Sequence, residues 1–154
     1  MRTRTNLLTL ALCIVGVAVA FADDANMGTW KLDEAKSTLA SGEVKNSTVV
    51  YEAAGDSVKV TVEGIDKDGK PTHNEWTGKF DGKDYPVAGD PNTDARSYKK
   101  IDERTLALTV KKDGKIVTTG RIAVSEDGKS RTVTTRGTDS TGKKVKSTAV
   151  YDKQ

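Results

Sequence analysis

The sequence predicts an all-β protein, an antiparallel up-and-down meander of about ten strands that closes into a barrel. Turn signals recur at short intervals along the chain, and the segments between them alternate apolar with polar residues and are rich in Val, Thr and Tyr. A meander of this length normally closes, because closure removes the unpaired edges of its first and last strands. A β-sandwich or a strongly curled open sheet is the alternative.

The turns are marked by the tripeptide Asp-Gly-Lys, which occurs four times. Asp-Gly supplies the positive φ angles that tight hairpin turns require, so each copy indicates a chain reversal. The four copies are Asp68-Gly69-Lys70, Asp81-Gly82-Lys83, Asp113-Gly114-Lys115 and Asp127-Gly128-Lys129. Three further reversals are predicted at Gly55-Asp56, Asp102-Glu103-Arg104 and Ser140-Thr141-Gly142.

The segments between these turns are the predicted strands. In chain order they are Thr29–Leu32, Val44–Ala53, Ser57–Asp66, Thr72–Phe80, Tyr85–Val87, Ala95–Ile101, Thr105–Lys112, Lys115–Ser125, Ser130–Thr138 and Lys144–Tyr151. Alternation places four sets of residues on apolar faces: Val58, Val60 and Val62; Leu106, Leu108 and Val110; Ile116, Ile122 and Val124; Val145, Ala149 and Tyr151. One segment, Asp33–Leu39, is expected to form either one or two helical turns or an irregular loop.

Residues 1–22 have the three-part pattern of a cleavable signal peptide. Arg2 and Arg4 give a basic start, an apolar run follows, and the small-x-small site Ala20-Phe21-Ala22 precedes two aspartates. The apolar run is short for a membrane span, which needs about 20 apolar residues, although an uncleaved anchor is the alternative. The expected mature protein, residues 23–154, is a single periplasmic or secreted domain with no stable membrane insertion.

Removing this segment changes the composition of the working protein. The single cysteine, Cys13, leaves with it, so no disulfide is expected. The basic residues fall from 25 to 23 against 22 acidic ones, and the remaining lysine pairs are scattered among acids, so no nucleic-acid binding is expected. Leu, Ile, Val and Phe make up 22 of residues 23–154, about 17%, which predicts a small core or a partly polar, wet interior.

The two ends of the expected mature chain carry a resemblance to a known group. The first predicted strand opens Gly28-Thr29-Trp30-Lys31-Leu32, and the last ends Val150-Tyr151-Asp152-Lys153. These segments resemble those of the calycins, which comprise lipocalins and intracellular fatty-acid-binding proteins. The resemblance implies a barrel in which Trp30 plugs one end, with Lys153 or Lys146 packing over it.

The sequence departs from the fatty-acid-binding proteins at two places. Ala149 occupies the position of the arginine that binds the ligand carboxylate in that family. The segment Asp33–Glu43 is also too short for the helical lid that follows the first strand in that family. The resemblance therefore does not imply the family's usual anionic anchor or entry portal.

The chain lacks the residues of the commonest catalytic and metal sites, and we expect neither an enzyme nor a cofactor. His73 is the single histidine, which rules out Ser/His/Asp, Cys/His and multi-histidine constellations, and its alternation with Trp76 predicts an outward position. Asp90–Asp94 and Asp66–Gly69 resemble calcium loops but lack residues that such loops require, so no metal is expected.

The aromatic residues are the best candidates for a function. Tyr51, Trp76, Phe80 and Tyr151 are expected inside the barrel, where they would either line a cavity or fill a solid core. Arg131 shares a face with Val133 and would orient the polar end of a ligand. The leading hypothesis is an exported lipocalin-like protein that binds a small, largely apolar molecule. The alternative is a non-enzymatic envelope protein with a solid barrel and an outer interaction surface; the oligomeric state is left open.

Overall fold

The structure is a computed structural model that describes residues 24–139 and 141–154. The predicted signal peptide, residues 1–22, lies outside the described residues. The described chain contains ten strands and no helix. The strands are β1 Gly28–Thr38, β2 Lys45–Ala54, β3 Ser57–Ile65, β4 Pro71–Gly78, β5 Tyr85–Ala88, β6 Ala95–Asp102, β7 Thr105–Lys112, β8 Lys115–Val124, β9 Ser130–Thr138 and β10 Lys144–Lys153. Accordingly, no helix in the described ranges is long and apolar enough to span a membrane.

Every strand pairs antiparallel with its neighbours in sequence, and β1 also pairs with β10, so the sheet closes. Trp30 lies opposite Lys153 in the pairing that completes the barrel. The predicted meander and its closure are confirmed, and the open sheet and the sandwich are excluded. The glycines of the four Asp-Gly-Lys turns all have positive φ, between 70° and 80°, as hairpin chemistry predicts.

The expectation for Asp33–Leu39 was wrong. The segment continues β1 as far as Thr38. Asp33 pairs with Val150 and Thr38 with Thr148, so a bulge of several residues lies between these two pairs. Within the bulge the Ser37 hydroxyl donates to the Asp33 carbonyl oxygen at 2.6 Å and accepts the Val150 amide at 2.9 Å. These side-chain bonds give the extra residues partners, so the local turn tendency is expressed as a bulge and not as a helix.

Alternation along the strands sorts the side chains between interior and exterior. Val58, Val60 and Val62 are buried, as predicted. The prediction for Ile116 was wrong, because 60% of this residue is exposed. The register shifts so that Val117 is an extra residue in β8, and this bulge turns Ile116 outward while Ile122 and Val124 stay buried.

One end of the barrel is closed by Trp30 and the segment 24–27 that precedes β1; we call it the plugged end. Trp30 is fully buried, and its indole N–H donates to the Asn26 carbonyl oxygen at 2.8 Å. Asp24 forms a 2.8 Å ion pair with Lys100 of β6. Because β6 lies five strands from β1 in either direction around the barrel, the segment crosses the opening. The structure thus places Trp30, which the resemblance implies as the plug, at this closed end.

The other end, which we call the far end, is covered by the loop between β1 and β2. Leu39 packs against the core, and the Ala40 amide donates to the Ser147 hydroxyl at 2.9 Å. Ser147 in turn donates to the Glu43 carboxylate. Ser147 is buried on the inner face of β10, so these bonds fasten the loop over the interior.

Candidate ligand-binding site

An aromatic cluster fills the half of the interior formed by β2 to β6. The Tyr51 ring lies 6.4 Å from Phe80 and 6.2 Å from Tyr98 between centroids, both edge-on. Trp76 lies 4.7 Å from Tyr98 and stacks on Phe80 at 6.5 Å. Tyr85 completes the cluster against Trp76 at 5.6 Å. These separations suit favourable aromatic pairing, and three residues predicted to share the interior lie together.

Tyr98 is a site residue that the sequence did not reveal. It is 3% exposed and sits at the centre of the cluster, whereas Ile101 of the same strand is 49% exposed. Along β6 the tyrosine shares its face with Arg96 and Lys100, and the aliphatic Ile101 lies on the other face. The strand therefore lacks a clear apolar face, and the size of the aromatic ring was the only available signal.

Gly78 is required where Tyr85 and Trp76 meet. A Cβ atom on residue 78 would lie 2.5 Å from Cγ of Tyr85 and 2.7 Å from Cζ2 of Trp76. Both distances are far below van der Waals contact. The aromatic rings thus occupy the space that any other side chain at position 78 would need.

Arg131 connects this cluster to the plug. Its guanidinium carbon lies 4.8 Å from the Trp30 ring centroid and 4.9 Å from those of Tyr51 and Tyr151. Each separation is within the range of a cation–π contact. The six residues singled out from the sequence therefore form one connected array: Trp30, Arg131, Tyr151, Tyr51, Phe80 and Trp76.

The Arg131 guanidinium is buried and incompletely hydrogen-bonded. The residue is 2% exposed, and its Nε and Nη1 atoms have no hydrogen-bond partner among the described residues. A buried donor without a partner costs about 1–3 kcal/mol, and more when it is charged. The aromatic faces offset part of this cost, but they do not replace an acceptor. Two nitrogen donors inside the barrel are thus available to a hydrogen-bond acceptor.

Arg96 gives the interior a second buried cation. It is 8% exposed, and Nη2 donates to Oδ1 of Asn74 at 3.1 Å. Both arginines are buried without an ion-pair partner among the described residues, whereas the buried carboxylate of Asp24 pairs with Lys100 at the plugged end. Arginine keeps its charge in proteins. The interior is therefore net positive, which favours an anionic group inside it.

The buried tyrosines act as neutral hydrogen-bonding groups. Burial raises the pKa of Tyr151 to about 12, although the nearby Arg131 opposes this shift. Its hydroxyl donates to the Asn46 carbonyl oxygen at 3.0 Å. Burial likewise raises the pKa of Tyr98, with the neighbouring Tyr51 adding to the effect. Both phenols therefore stay protonated at neutral pH.

Two cations lie over the Trp30 ring, and only one of them was predicted. Lys153 lies over the Trp30 ring, with Nζ 5.2 Å from its centroid, as one of the two alternatives predicted. Arg131 lies closer. Lys146 is exposed on the outer face, so that alternative was wrong. The residue at the former anchor position, Ala149, is buried in the wall of the barrel.

The wall formed by β7 to β9 carries smaller inward-facing residues than the aromatic half. Leu108 lies opposite Gly120, and both face the interior. Leu108, Val133 and Thr135 also point inward in mid-strand, yet all three are only half-buried. Leu108 and Val133 pack against the core, and Val133 lies on the same strand face as Arg131.

His73 lies on the outer face of β4, as predicted. Its Nδ1 is 2.5 Å from a Glu63 carboxylate oxygen, and Nε2 is 3.3 Å from one of Glu75. The hydrogen bond with Glu63 raises the pKa of His73. Within the described ranges, no group of three or more His, Cys, Asp or Glu residues is arranged to hold a metal ion.

The acidic loops that resemble calcium sites are organised as turns. The Asp90 carboxylate accepts the Asn92 amide at 2.8 Å and the Thr93 hydroxyl at 2.8 Å. The Asp66 carboxylate accepts the amides of Asp68 and Lys70, each at 2.9 Å. These aspartates bind their own backbone, which is ordinary turn chemistry.

Comparison with known proteins places few limits on this site. No protein-family model matches the chain, and no curated protein matches it. Among solved structures, the chain is similar to EF1p2_mFAP2b bound to DFHBI, with 11% sequence identity and a TM-score of 0.48. The match covers 84% of this chain and 94% of that chain. The site is therefore interpreted from its own geometry.

Proposed function

We propose that this protein is an exported, non-enzymatic barrel of the calycin type that binds a small, largely apolar molecule with an acidic end. The observation that carries the proposal is Arg131, a buried guanidinium with two nitrogen donors that have no partner among the described residues. A carboxylate placed there would accept those hydrogen bonds and neutralise a buried charge.

The surroundings of Arg131 support an acidic and partly apolar ligand. The interior holds two buried arginines, and the buried carboxylate of Asp24 is already paired with Lys100. The half-buried side chains of Leu108 and Val133 offer apolar contact to the part of the ligand beyond its acidic end. This combination of an apolar lining with a few polar groups is typical of small-molecule sites.

The buried tyrosines and the position of His73 support binding over catalysis at this site. The pattern of the first residues supports export. Burial raises the pKa of Tyr98 and Tyr151, which leaves both phenols poor general bases at neutral pH. His73 lies on the outer face, away from the interior. The signal-like pattern of residues 1–22 supports export to the periplasm or the medium.

The proposal is tested with a matched acid and alcohol, laurate and 1-dodecanol. At a free concentration of 100 times the dissociation constant, a ligand stabilises the folded state by about 2.7 kcal/mol. For a domain of this size that corresponds to a rise in Tm of roughly 10 °C. We expect laurate to produce such a rise and dodecanol a much smaller one.

Variants test whether the buried Arg131 guanidinium binds the carboxylate of laurate. Arg131→Met should abolish the preference for laurate, whereas Arg131→Lys should keep part of it. Arg104→Met is the matched control, because it removes an exposed arginine between β6 and β7, and it should bind laurate like the wild type. Native mass spectrometry of protein purified from its own host should reveal a bound acidic molecule.

The alternative is a solid barrel that acts through its outer surface. The near-complete burial of Tyr51 and Trp76 favours it, at 3% and 1% exposure. It predicts no extractable molecule and no change in Tm with either probe. That result, or equal binding of laurate by wild type and Arg131→Met, would overturn the interior site.

A further inference from the structure

The outer face of β8 to β10 carries two adjoining depressions that are lined by cations. One stretch of about 470 Å³ lies between Ile116–Thr119 and Lys144–Lys146, and a second of about 400 Å³ runs along β8 and β9. The two stretches share Thr119 and Arg136. We call the combined feature the outer groove.

Four cations line the outer groove, and no carboxylate does. Arg121 and Arg136 lie along it, and Lys144 and Lys146 lie at the end nearer the far end of the barrel. Within residues 24–139 and 141–154, none of the four forms a salt bridge. On the opposite side of the barrel, by contrast, Lys59 pairs with Glu75 at 3.1 Å.

The cations are placed where folding alone would not favour them. Arg136 lies directly opposite Lys146 in the β9–β10 pairing. Arg121 lies opposite Thr134, two residues from Arg136, so the two arginines are diagonal neighbours on adjacent strands. Like charges opposite each other across a sheet are destabilising, and diagonal neighbours lie about 7–8 Å apart. An anionic chain lying along the groove would offset this repulsion.

The other side chains of the groove indicate which anionic polymer fits. Thr119, Thr132 and Thr134 present hydroxyl groups that both donate and accept hydrogen bonds, as sugar hydroxyls do. No aromatic side chain lines the groove, so it lacks the stacking platform of a single-stranded nucleic-acid site. The closed barrel also offers no free strand edge for an extended peptide.

We propose that the outer groove binds a linear acidic polysaccharide. Its carboxylate or sulfate groups form ion pairs with Arg121 and Arg136. Its hydroxyl groups form hydrogen bonds with the threonines of the groove. This binding is independent of the interior site, because the side chains concerned point to opposite faces of the same strands.

The test measures the affinity for dextran sulfate by titration calorimetry, with neutral dextran of equal length as the comparison. We expect binding of dextran sulfate alone, and weaker binding at higher salt as counterion release requires. The double variant Arg121→Gln/Arg136→Gln should weaken it about a hundredfold, since each charged hydrogen bond is worth roughly tenfold or more. Arg104→Gln, an exposed arginine outside the groove, is the control and should bind like the wild type.

Several outcomes would overturn this proposal. Equal affinity in the double variant would mean that general charge attraction, and not the groove, holds the polymer. Equal or tighter binding of polyuridylate or polyglutamate would assign the groove to another class of partner, and no binding of dextran sulfate would reject it directly. Arg131→Met should retain dextran sulfate binding, so failure of the interior site and failure of the groove are distinguishable.

Discussion

Replacing Trp30 with alanine tests how far the plugged end determines the stability of the barrel. Trp30 is fully buried, donates to the Asn26 carbonyl oxygen at 2.8 Å, and lies beneath the cations of Arg131 and Lys153. The substitution removes all of these interactions at once. It also leaves the Asn26 carbonyl without its indole partner.

The expected loss is a large fraction of the total stability. Truncating a buried tryptophan costs about 3–5 kcal/mol through lost packing and the remaining cavity. The hydrogen bond contributes about 1 kcal/mol and the two cation–π contacts about 0.5–2 kcal/mol each. Because neighbouring terms do not add fully, we expect a loss of about 5–7 kcal/mol for Trp30→Ala. Small domains are stable by only about 5–15 kcal/mol in total.

Urea denaturation followed by far-UV circular dichroism measures this loss. Trp30→Phe retains a ring but not the indole donor, and should lose about 2–3 kcal/mol, which lowers the midpoint by roughly 1 M urea. Ile116→Ala, at a position that is 60% exposed, is the control and should stay within about 0.5 kcal/mol of the wild type. A loss below about 2 kcal/mol for Trp30→Ala would refute the plug as a stabilising element.

Three smaller predictions concern other parts of the barrel. The pKa of His73 should lie above its ordinary value of about 6.5 in an NMR titration and return toward it in Glu63→Gln. The stability that this pair contributes should be complete below pH 6.5 and lost as the pH rises through the raised folded pKa, which denaturation at several pH values checks. Gly78→Ala should destabilise the barrel by about 1–3 kcal/mol, since its Cβ would lie 2.5 Å from Tyr85, and an unchanged Tm would contradict this. Ser147→Ala should release the loop after β1, detected as faster amide exchange there; unchanged exchange would mean that other contacts hold it.

The strands and turns were predictable because their signals are local. Asp-Gly-Lys fixes a turn through the φ of its own glycine, and alternation marks a strand within a few residues. β7 and β9 occupy the ranges expected from the sequence. The errors lie at bulges, because a single inserted residue such as Val117 reverses the facing of its neighbours without changing the composition. Alternation alone cannot detect such an insertion.

The candidate site was predictable in part. Tyr51 could be placed inside because it shares a strand face with Val49 and Ala53. Trp76 shares its face with Asn74 and Gly78, so only the size of its ring indicated an inward position. The contacts that close the two ends of the barrel could not be predicted from local patterns. They join residues 76 positions apart, as in Asp24 with Lys100, and 104 positions apart, as in Glu43 with Ser147. The outer groove could not be predicted from the sequence for a similar reason. Its cations come from three strands, and only the pairing register brings them together.

The pairing of β1 with β10 has a consequence for how the chain reaches its native state. Gln154 donates its amide to the Thr29 carbonyl at 2.9 Å, so the last residue of the chain lies beside the first strand. The barrel therefore cannot close until the C-terminal strand is available, and contacts of such long sequence separation make folding slow. Asp24 lies across the opening beside Lys100, so a circular permutant needs a linker between residues 154 and 24 that spans the plugged end. Opening that permutant at an exposed turn, such as Asp113-Gly114, would keep every strand pair and cut only the connection between β7 and β8.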